Sequence, residues 1–461
     1  MHRMLVRSGL ILCLIASAAG LRSRGSSEVD VGQPTPYRQK LGNQQDMQYF
    51  GQLSLGKQSM KGIFDTGSFE LLVFTRECKG CGTARAYEVG KYPTFKPGSS
   101  HQVHAYGSGQ CEANDGFEEV QIGGMTAKQQ PFWFADDCTM PLLEEASFNA
   151  IIGIGPPGQP AFTAREALDE LKETEKSYRR RHQAVPPSLK QQIAEEKKTL
   201  KVARGKKALL ESFGTTTFSV CLGRQPDSPG FLIWNDKTRK GQPHVMQIPV
   251  AGKITWGVTL KDWSFGGSTA ACADGCGAVV DSGTSLFAVP TPIYNAIWTH
   301  FSSGRYQLDC SDLRGFPDLV MTVGGKTLRF PPYTYVGELY GQMNKEAEGF
   351  LSMNRLGHRS KACHLLLIDL GPTRDTGLGP MLILGMPFFR EYYTTFDLGS
   401  GRDDRSIFVS TANEDCDPEA VGDVSTVVDR LASSLRFKPR SVNVSQVRVP
   451  EWLKPGNGVR F

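Results

Sequence analysis

Two copies of one short motif carry the residues of this sequence that are best suited to acid–base chemistry. The hexapeptide 63–68, IFDTGS, recurs as 279–284, VVDSGT. Each copy has two apolar residues, an Asp, a hydroxyl residue, a Gly and a second hydroxyl residue. Because average usage predicts a lone Asp-Ser/Thr-Gly tripeptide about 0.2 times in a chain of this length, the repetition is the informative feature.

The repeat points to hydrolysis by a pair of carboxylates, Asp65 and Asp281. Two carboxylates about 3 Å apart cannot both ionise, so they share one proton over a wide pH range. The ionised member can act as base on a water molecule, and the protonated member can donate to a carbonyl oxygen. The pKa values then belong to the pair and not to either residue.

The other motif residues suit the support of these carboxylates. Gly67 and Gly283 permit tight turns whose backbone N–H groups reach the carboxylates. We expect the hydroxyls of Ser68 and Thr284 to bond the outer carboxylate oxygens. The hydroxyls of Thr66 and Ser282 should brace the two loops across the interface.

Apolar strands must position these loops. An apolar pair ending in Gly follows each motif, at 151–153 (IIG) and at 383–385 (ILG). Gly lacks the Cβ that would clash, so such a strand can pass closely behind an Asp loop. Short β-like runs broken by Gly, Pro and Asn fill 49–124 and return over 218–411. The fold class is therefore predicted to be mostly β.

With these motifs the chain resembles the pepsin-like aspartic endopeptidases, from Tyr49 to Thr411 apart from a helical insert. Four further parts of the chain match. They are YGSG (106–109), which resembles the tip of the family's flap, FNAIIG (148–153), WGVTL (256–260), and ILG (383–385) followed by YYTTFD (392–397). The resemblance implies a bilobal fold of two β-lobes, with one Asp from each lobe in the cleft between them.

The resemblance also implies an aspartic endopeptidase that cuts proteins or peptides between apolar residues, without metal or cofactor. By motif position, the flap residues Tyr106, Gly107 and Ser108 should close over substrate. Ile63, Phe148 and Ile151 should line the non-primed pocket with Tyr106, and Val279 and Ile383 the primed side. For each apolar residue, ordinary core packing is the alternative.

Three departures from the family pattern affect these expectations. Leu72 stands where the family usually has a Trp that bonds the flap Tyr, so a looser or differently held flap is expected. Met386 replaces an acidic residue, which removes a like charge near the pair and weakens the case for a strongly acidic optimum. Fewer than 30 residues separate the predicted signal cleavage from Tyr49, where family zymogens usually carry a longer basic prosegment.

The N-terminus predicts entry into the secretory pathway. Arg3 and Arg7 precede an apolar run, 10–16, and small residues at 16–20, which is the order of a signal peptide. A retained anchor is the alternative, although no later segment approaches about 20 apolar residues. The expected location is outside the cell or in a vacuolar or lysosomal compartment, and an Asn443-Val-Ser sequon is a possible glycan site there.

Cysteine usage agrees with that compartment. Of 11 cysteines, Cys13 would leave with the signal peptide, and the remaining even number is typical of disulfides. Cys78-x-x-Cys81 could be a redox or zinc site, but without a second such pair a structural disulfide is favoured. The resemblance pairs Cys272 with Cys276 and Cys310 with Cys363, and Cys111 with Cys138 is a guess at a flap-base bridge. Cys221 and Cys416 either pair or stay free.

The resulting organisation has five parts: a signal peptide 1–20, a short pro-like segment 21–47, an N-terminal lobe 48–230, a C-terminal lobe 231–412 and a polar extension 413–461. The first lobe contains a charged helical insert, 163–212, whose helices should open at the capping boxes TARE (163–166) and SLKQ (188–191). The basic run 179–182 between them is either a solvated turn or a processing site. The extension has little strand character, with one possible short helix at 424–435.

The sequence leaves three alternative functions to compare with this one. A binding protein that keeps the fold without cutting generally loses an Asp, a Gly or the flap Tyr, which are all present here. The segment GIGPPG, 153–158, matches a dinucleotide-binding pattern, but its prolines remove two N–H donors, the helix is expected only after Thr163, and no βαβ unit surrounds it. A retroviral-type dimer is unnecessary with two motifs in one chain. The net charge of +5 gives no reason to expect nucleic acid, and a monomer is expected.

Overall fold

A computed structural model describes residues 35–106, 109–302, 310, 312–341, 363–418 and 439–448. Within these residues strands outnumber helices, and the predicted mostly β, two-lobed fold is confirmed. The predicted signal peptide, most of the pro-like segment and the possible helix at 424–435 lie outside the described residues.

The first half of the chain contains ten strands and a cluster of three helices. The strands are β1 (Tyr37–Gln44), β2 (Gln48–Leu55), β3 (Gln58–Asp65), β4 (Leu71–Lys79), β5 (Lys96–Tyr106), β6 (Gly109–Ile122), β7 (Met125–Cys138), β8 (Ala150–Gly153), β9 (Thr217–Cys221) and β10 (Gly230–Trp234). The helices are α1 (Gln159–Arg180), α2 (Pro187–Gly205) and α3 (Leu209–Phe213).

The second half is organised around shorter strands. The strands are β11 (Met246–Pro249), β12 (Gly257–Phe265), β13 (Ser268–Ala271), β14 (Cys276–Val280), β15 (Phe287–Val289), β16 (Leu319–Val323), β17 (Lys326–Phe330), β18 (Val336–Tyr340), β19 (His364–Leu365), β20 (Leu367–Asp369), β21 (Met381–Leu384), β22 (Tyr392–Asp397), β23 (Ser406–Thr411) and β24 (Arg440–Asn443). The helices are α4 (Thr291–Ser302), α5 (Pro332–Tyr335) and α6 (Met386–Glu391).

One long sheet connects the two halves. Its order is β11-β23-β22-β9-β10-β1-β2-β3-β8-β4-β7-β6-β5, so strands from both ends of the chain pair side by side. β1 lies within residues 21–47, the predicted pro-like segment, and pairs with both β10 and β2. A second sheet, β17-β16-β12-β14-β21-β15-β20, carries the C-terminal lobe, and β13 pairs with β12.

The same strand arrangement occurs once in each lobe. β3 runs parallel to β8, which is antiparallel to β4, and β14 runs parallel to β21, which is antiparallel to β15. A Cβ on Gly153 would lie 2.4 Å from the Glu70 backbone nitrogen, and one on Gly385 would lie 2.2 Å from the Leu286 carbonyl oxygen. Each threading strand therefore needs its Gly, as the sequence motif predicts.

The predicted starts of the insert helices were wrong. α1 begins at Gln159 and not near Thr163, and the N-cap of α2 is Pro186, which has no side-chain capping bond. Proline is tolerated in a first helical turn, where its missing N–H has no intrahelical partner. Pro160 and Pro187 therefore lie in the first turns of these helices, and the capping-box sequences lie inside the helices. The basic run 179–182 is exposed at the turn between α1 and α2.

The extension also differs from its prediction. It was expected to have little strand character, yet β24 pairs in parallel with β18 in a three-stranded sheet, β19-β18-β24. Val442 and Val444 alternate with polar residues there, and both valines are buried. The polar composition of the surrounding tail hides this short alternation.

Candidate active site

The first Asp loop follows directly from β3. Asp65 is fully buried and accepts a hydrogen bond at Oδ1 from the Gly67 N–H (2.9 Å). Its Oδ2 accepts a bond from the Ser68 hydroxyl (2.7 Å). The turn thus supplies one donor to each carboxylate oxygen, as predicted for these residues.

The second Asp loop repeats this geometry after β14. Asp281 is fully buried and accepts at Oδ1 from the Gly283 N–H (2.7 Å) and at Oδ2 from the Thr284 hydroxyl (2.6 Å). The predicted support residues therefore occupy equivalent positions in both loops.

The two carboxyl groups face each other at the interface of the lobes. The Gly67 N–H donates to Asp65 Oδ1 and also to Asp281 Oδ1, at 3.1 Å. A Cβ on Gly283 would lie 2.2 Å from Asp65 Oδ1, so only Gly fits between the groups. Burial raises the pKa of Asp281, and the neighbouring charge of Asp65 raises it further. Such a pair can hold one proton between a base and an acid.

Hydroxyl groups brace the loops across the interface. The Thr66 hydroxyl donates to the Val280 carbonyl (3.0 Å) and accepts from the Ser282 N–H (2.9 Å). In the reverse direction, the Ser282 hydroxyl donates to the Phe64 carbonyl (2.8 Å) and accepts from the Thr66 N–H (3.1 Å). This reciprocal pattern fixes the spacing of the two carboxylates.

The predicted non-primed residues gather in one apolar cluster beside Asp65. Ile63, Phe148 and Ile151 are fully buried there with Tyr106, and Leu72 belongs to the same cluster. Gly107 and Ser108, the predicted flap tip, lie outside the described residues. On the other side, Val279 and Ile383 are fully buried, and Ile383 belongs to a separate cluster in the C-terminal lobe.

Arg448, which no motif of the sequence indicated, also lies at the site. Its Nη2 atom lies 2.8 Å from Asp65 Oδ2, and both side chains are fully buried. The guanidinium carbon lies 6.0 Å from the centre of the Tyr106 ring. The extension was expected to have little strand character, and no pattern in the sequence indicates that it reaches the site.

Five disulfides connect cysteines of the described chain. They join Cys78 to Cys81, Cys111 to Cys138, Cys221 to Cys416, Cys272 to Cys276, and Cys310 to Cys363. Cys221 and Cys416, left open by the sequence, are therefore paired.

One cysteine group bears on the metal question. Cys78, Cys81 and Cys138 have sulfur atoms within 4.8 Å of one another, the one such cluster of potential ligands found among the described residues. Because all three sulfurs belong to disulfides, they do not offer the thiolates that zinc requires. The cluster fits a structural role.

Backbone N–H groups of the segment 153–158, which matches the dinucleotide-binding pattern, already donate hydrogen bonds within the protein. The Gly153 N–H donates to the Glu70 carbonyl (2.9 Å) and the Gly155 N–H donates to the Ser68 carbonyl (2.8 Å). The helix was predicted to begin only after Thr163, and this was wrong, since α1 begins right after Gly158. The segment nevertheless has these N–H groups committed to the Asp65 loop, which leaves them unable to bind a pyrophosphate.

Comparison with known proteins gives a consistent result. The family model "Eukaryotic aspartyl protease" matches residues 48–178 and 206–403, which leaves α2 and the end of α1 unmatched. Pepsin A of Bos taurus is 26% identical over 374 residues, 79% of this chain and 85% of that protein. Cathepsin D of Clupea harengus is 27% identical over 383 residues, covering 80% and 83%. Renin-2 of Mus musculus is 26% identical over 380 residues, covering 78% and 80%.

Proposed function

The chain belongs to the eukaryotic aspartyl protease family, and from that premise we propose that it is an aspartic endopeptidase in which Asp65 and Asp281 activate water. The observation that carries the proposal is the Gly67 N–H shared between the two buried carboxylates. This contact brings the pair close enough for one proton to serve both.

The environments of the two groups support different roles. The raised pKa of Asp281 favours its protonated form, which can donate to the carbonyl oxygen of a peptide bond. Asp65, ionised, then accepts a proton from water as the water oxygen attacks the carbonyl carbon. Transfer of a proton to the amide nitrogen and cleavage of the C–N bond release a carboxylic acid and an amine.

The substrates we propose are proteins or peptides with apolar residues on both sides of the cut bond. The support for this is the motif position of Ile63, Phe148, Ile151, Val279 and Ile383, whose side chains are all fully buried, as ordinary core packing would also have them. The five disulfides indicate an oxidising compartment, and we infer secretion or a vacuolar or lysosomal location. Among the described residues, no helix is long and apolar enough to cross a membrane.

Cleavage of a denatured protein substrate tests the proposal, measured from pH about 3 to about 7.5 to span the titration of the pair, with and without pepstatin. Asp65→Asn and Asp281→Asn should each lower the rate at least about a thousandfold, since each removes an acid–base group. Asp312→Asn, at an exposed position, is the matched control.

Two results would reject the mechanism: cleavage that pepstatin does not inhibit, or cleavage that persists in either Asn variant at the active site. A binding protein that does not cut is the second candidate, because the Arg448 guanidinium forms an ion pair with the Asp65 carboxylate. That candidate predicts pepstatin binding without cleavage at any pH tested, both in the intact chain and after the Arg448 contact is removed.

A further inference from the structure

Residues 439–448, which we call the cleft segment, come from a part of the chain beyond the family match. That match ends at residue 403, yet the segment reaches the catalytic pair. Its first residues form β24, and β24 adds to β18 from Gly337 paired with Arg440 to Tyr340 paired with Asn443. The segment is therefore built into the C-terminal lobe at its start.

Its far end is bonded to the second Asp loop. The Arg448 N–H donates to the Ser285 hydroxyl (2.9 Å), and the Ser285 N–H donates to the Arg448 carbonyl (3.1 Å). Ser285 lies four residues beyond Asp281 in the sequence. The backbone of the segment thus runs along the loop that presents one of the two carboxylates.

Apolar side chains of the segment cover the C-terminal side of the site. Val442, Val444 and Val447 are buried in the cluster that contains Leu286 and Ile383. Ile383 is the residue that we assign to the primed substrate pocket. A substrate side chain that contacts this surface would have to displace the valines.

A buried ion pair anchors the beginning of the segment. Arg440 Nη1 lies 2.5 Å from Asp46 Oδ2, and the Arg440 guanidinium also donates to the Arg224 carbonyl. Burial alone would raise the pKa of Asp46, but the charges of Arg440 and Arg390 hold it below its usual value. Asp46 therefore keeps its negative charge, and with it this anchor, in mildly acidic solution.

The last described residue of the segment blocks the base. Asp65 Oδ2 accepts hydrogen bonds from Ser68 and Arg448, while Oδ1 accepts one from Gly67. The guanidinium thus holds the oxygen that a base offers to water, and it fills space between Asp65 and the flap residue Tyr106. An attacking water and a substrate carbonyl need the same space.

We propose that the cleft segment is autoinhibitory: it occupies the substrate cleft of the intact chain and neutralises Asp65 through Arg448, so that activity requires its displacement. This inference rests on the proposed function, because it assigns Asp65 to catalysis. The segment would cover the cleft from the C-terminal side.

The contact is suited to being released. Arg448 Nε has no hydrogen-bond partner among the described residues, so the buried guanidinium is only partly satisfied. Desolvation of two charges offsets much of their attraction, and a buried ion pair therefore adds little net stability. The Arg448–Asp65 contact itself can then break without a large net loss of stability.

The test compares the full-length chain with Arg448→Gln, in both cleavage rate and pepstatin affinity. Both depend on the fraction of molecules whose cleft is open, so both should rise by the same factor. We expect about tenfold or more, which corresponds to about 1.4 kcal/mol. Arg448→Lys keeps the charge and should stay close to wild type. Arg314→Gln removes an exposed Arg far along the chain and controls for net charge.

A second measurement does not depend on catalysis. Amide hydrogen exchange of residues 439–448 in the wild-type chain should become faster when pepstatin is added, because the inhibitor and the segment compete for the cleft. Near-UV circular dichroism and an intact disulfide count establish that each variant is folded. Unchanged exchange together with bound pepstatin would overturn the proposal.

The remaining outcomes separate the two proposals. A folded Arg448→Gln variant with wild-type rate and wild-type pepstatin affinity overturns autoinhibition while leaving the protease function intact. A variant that loses activity but binds pepstatin as before also overturns it, because Arg448 would then assist the reaction. If no variant cleaves but Arg448→Gln binds pepstatin more tightly, the segment does cover the cleft and the proposed function is wrong.

Discussion

The two Asp loops have nearly the same local structure but different surroundings. In both loops, the Asp accepts bonds from the Gly two residues later and from the hydroxyl three residues later. Of the two Asp residues, Asp65 is the one that contacts a cation among the described residues, and that cation is Arg448. In the described part of the chain no cation contacts Asp281, and burial and the charge of Asp65 raise its pKa.

The difference shows that a repeated motif does not by itself assign chemical roles. Equivalent turns bring a Gly N–H and a hydroxyl to each carboxylate, so the hydrogen bonds made within each loop match. Residues far along the chain then break the symmetry in charge, because a nearby guanidinium favours an ionised carboxylate and a nearby carboxylate disfavours it. The active site is thus locally symmetric and electrostatically asymmetric.

Among the substitutions that compare the two loops and leave both carboxylates in place, the largest expected effect comes from filling the gap between the loops. Gly67→Ala places a Cβ 2.7 Å from Asp281 Cγ, and Gly283→Ala places one 2.2 Å from Asp65 Oδ1. Each should lower the cleavage rate at least about a hundredfold, since small displacements of catalytic groups cost about that much. The shorter contact predicts the greater loss in Gly283→Ala.

Gly124→Ala is the matched control, because its Cβ would meet nothing within 4 Å. Cleavage rates of the three purified variants, each checked for folding by circular dichroism, give the comparison. Near-wild-type activity in Gly283→Ala would show that the two carboxylates are not held as closely as the structure has them.

A smaller effect concerns the pH dependence of stability. Asp281 has a raised pKa in the folded chain, so the folded state binds a proton that the unfolded state releases above about pH 4. The free energy of unfolding should therefore fall as pH rises from about 4 towards the raised pKa, by up to about 1.4 kcal/mol per pH unit. Asp281→Asn should remove this slope.

Urea unfolding at several pH values between about 4.5 and 6.5 measures the slope. Asp312→Asn is the control: its neighbour Arg314 lowers the Asp312 pKa to about 2, so this group stays ionised across the window. Equal slopes for wild type and Asp281→Asn would mean that Asp281 does not hold the shared proton.

The smallest effect should come from the brace. Thr66→Val removes the hydroxyl that bonds Val280 and Ser282, and Ser282→Ala removes the reciprocal one. We expect each to lower the free energy of unfolding by about 1–3 kcal/mol, because buried partners lose their bonds. Chemical denaturation of the two variants and of Thr238→Val, whose hydroxyl bonds an exposed carboxylate, tests this. A loss in only one of the two loops would show that the brace is not reciprocal.

Much of the fold follows from local patterns. The apolar runs before each Asp predict β3 and β14, and the two Gly-ended pairs predict the threading strands β8 and β21. Helix starts were predicted less well, because Pro160 and Pro187 are compatible with a first helical turn and the capping-box sequences occur inside the helices. Sequence patterns place such boundaries by local preference, while packing decides them.

The sequence by itself determined the two carboxylates and their supporting turns, because each turn is local: a Gly and a hydroxyl two and three residues from the Asp can reach it without any distant contact. Only the tertiary structure decided what meets those carboxylates. The pairing of β24 with β18, the Cys221–Cys416 bridge and the approach of Arg448 to Asp65 join residues 103 to 383 positions apart. Contacts over such separations depend on how whole strands pack, and no short pattern in the chain encodes them.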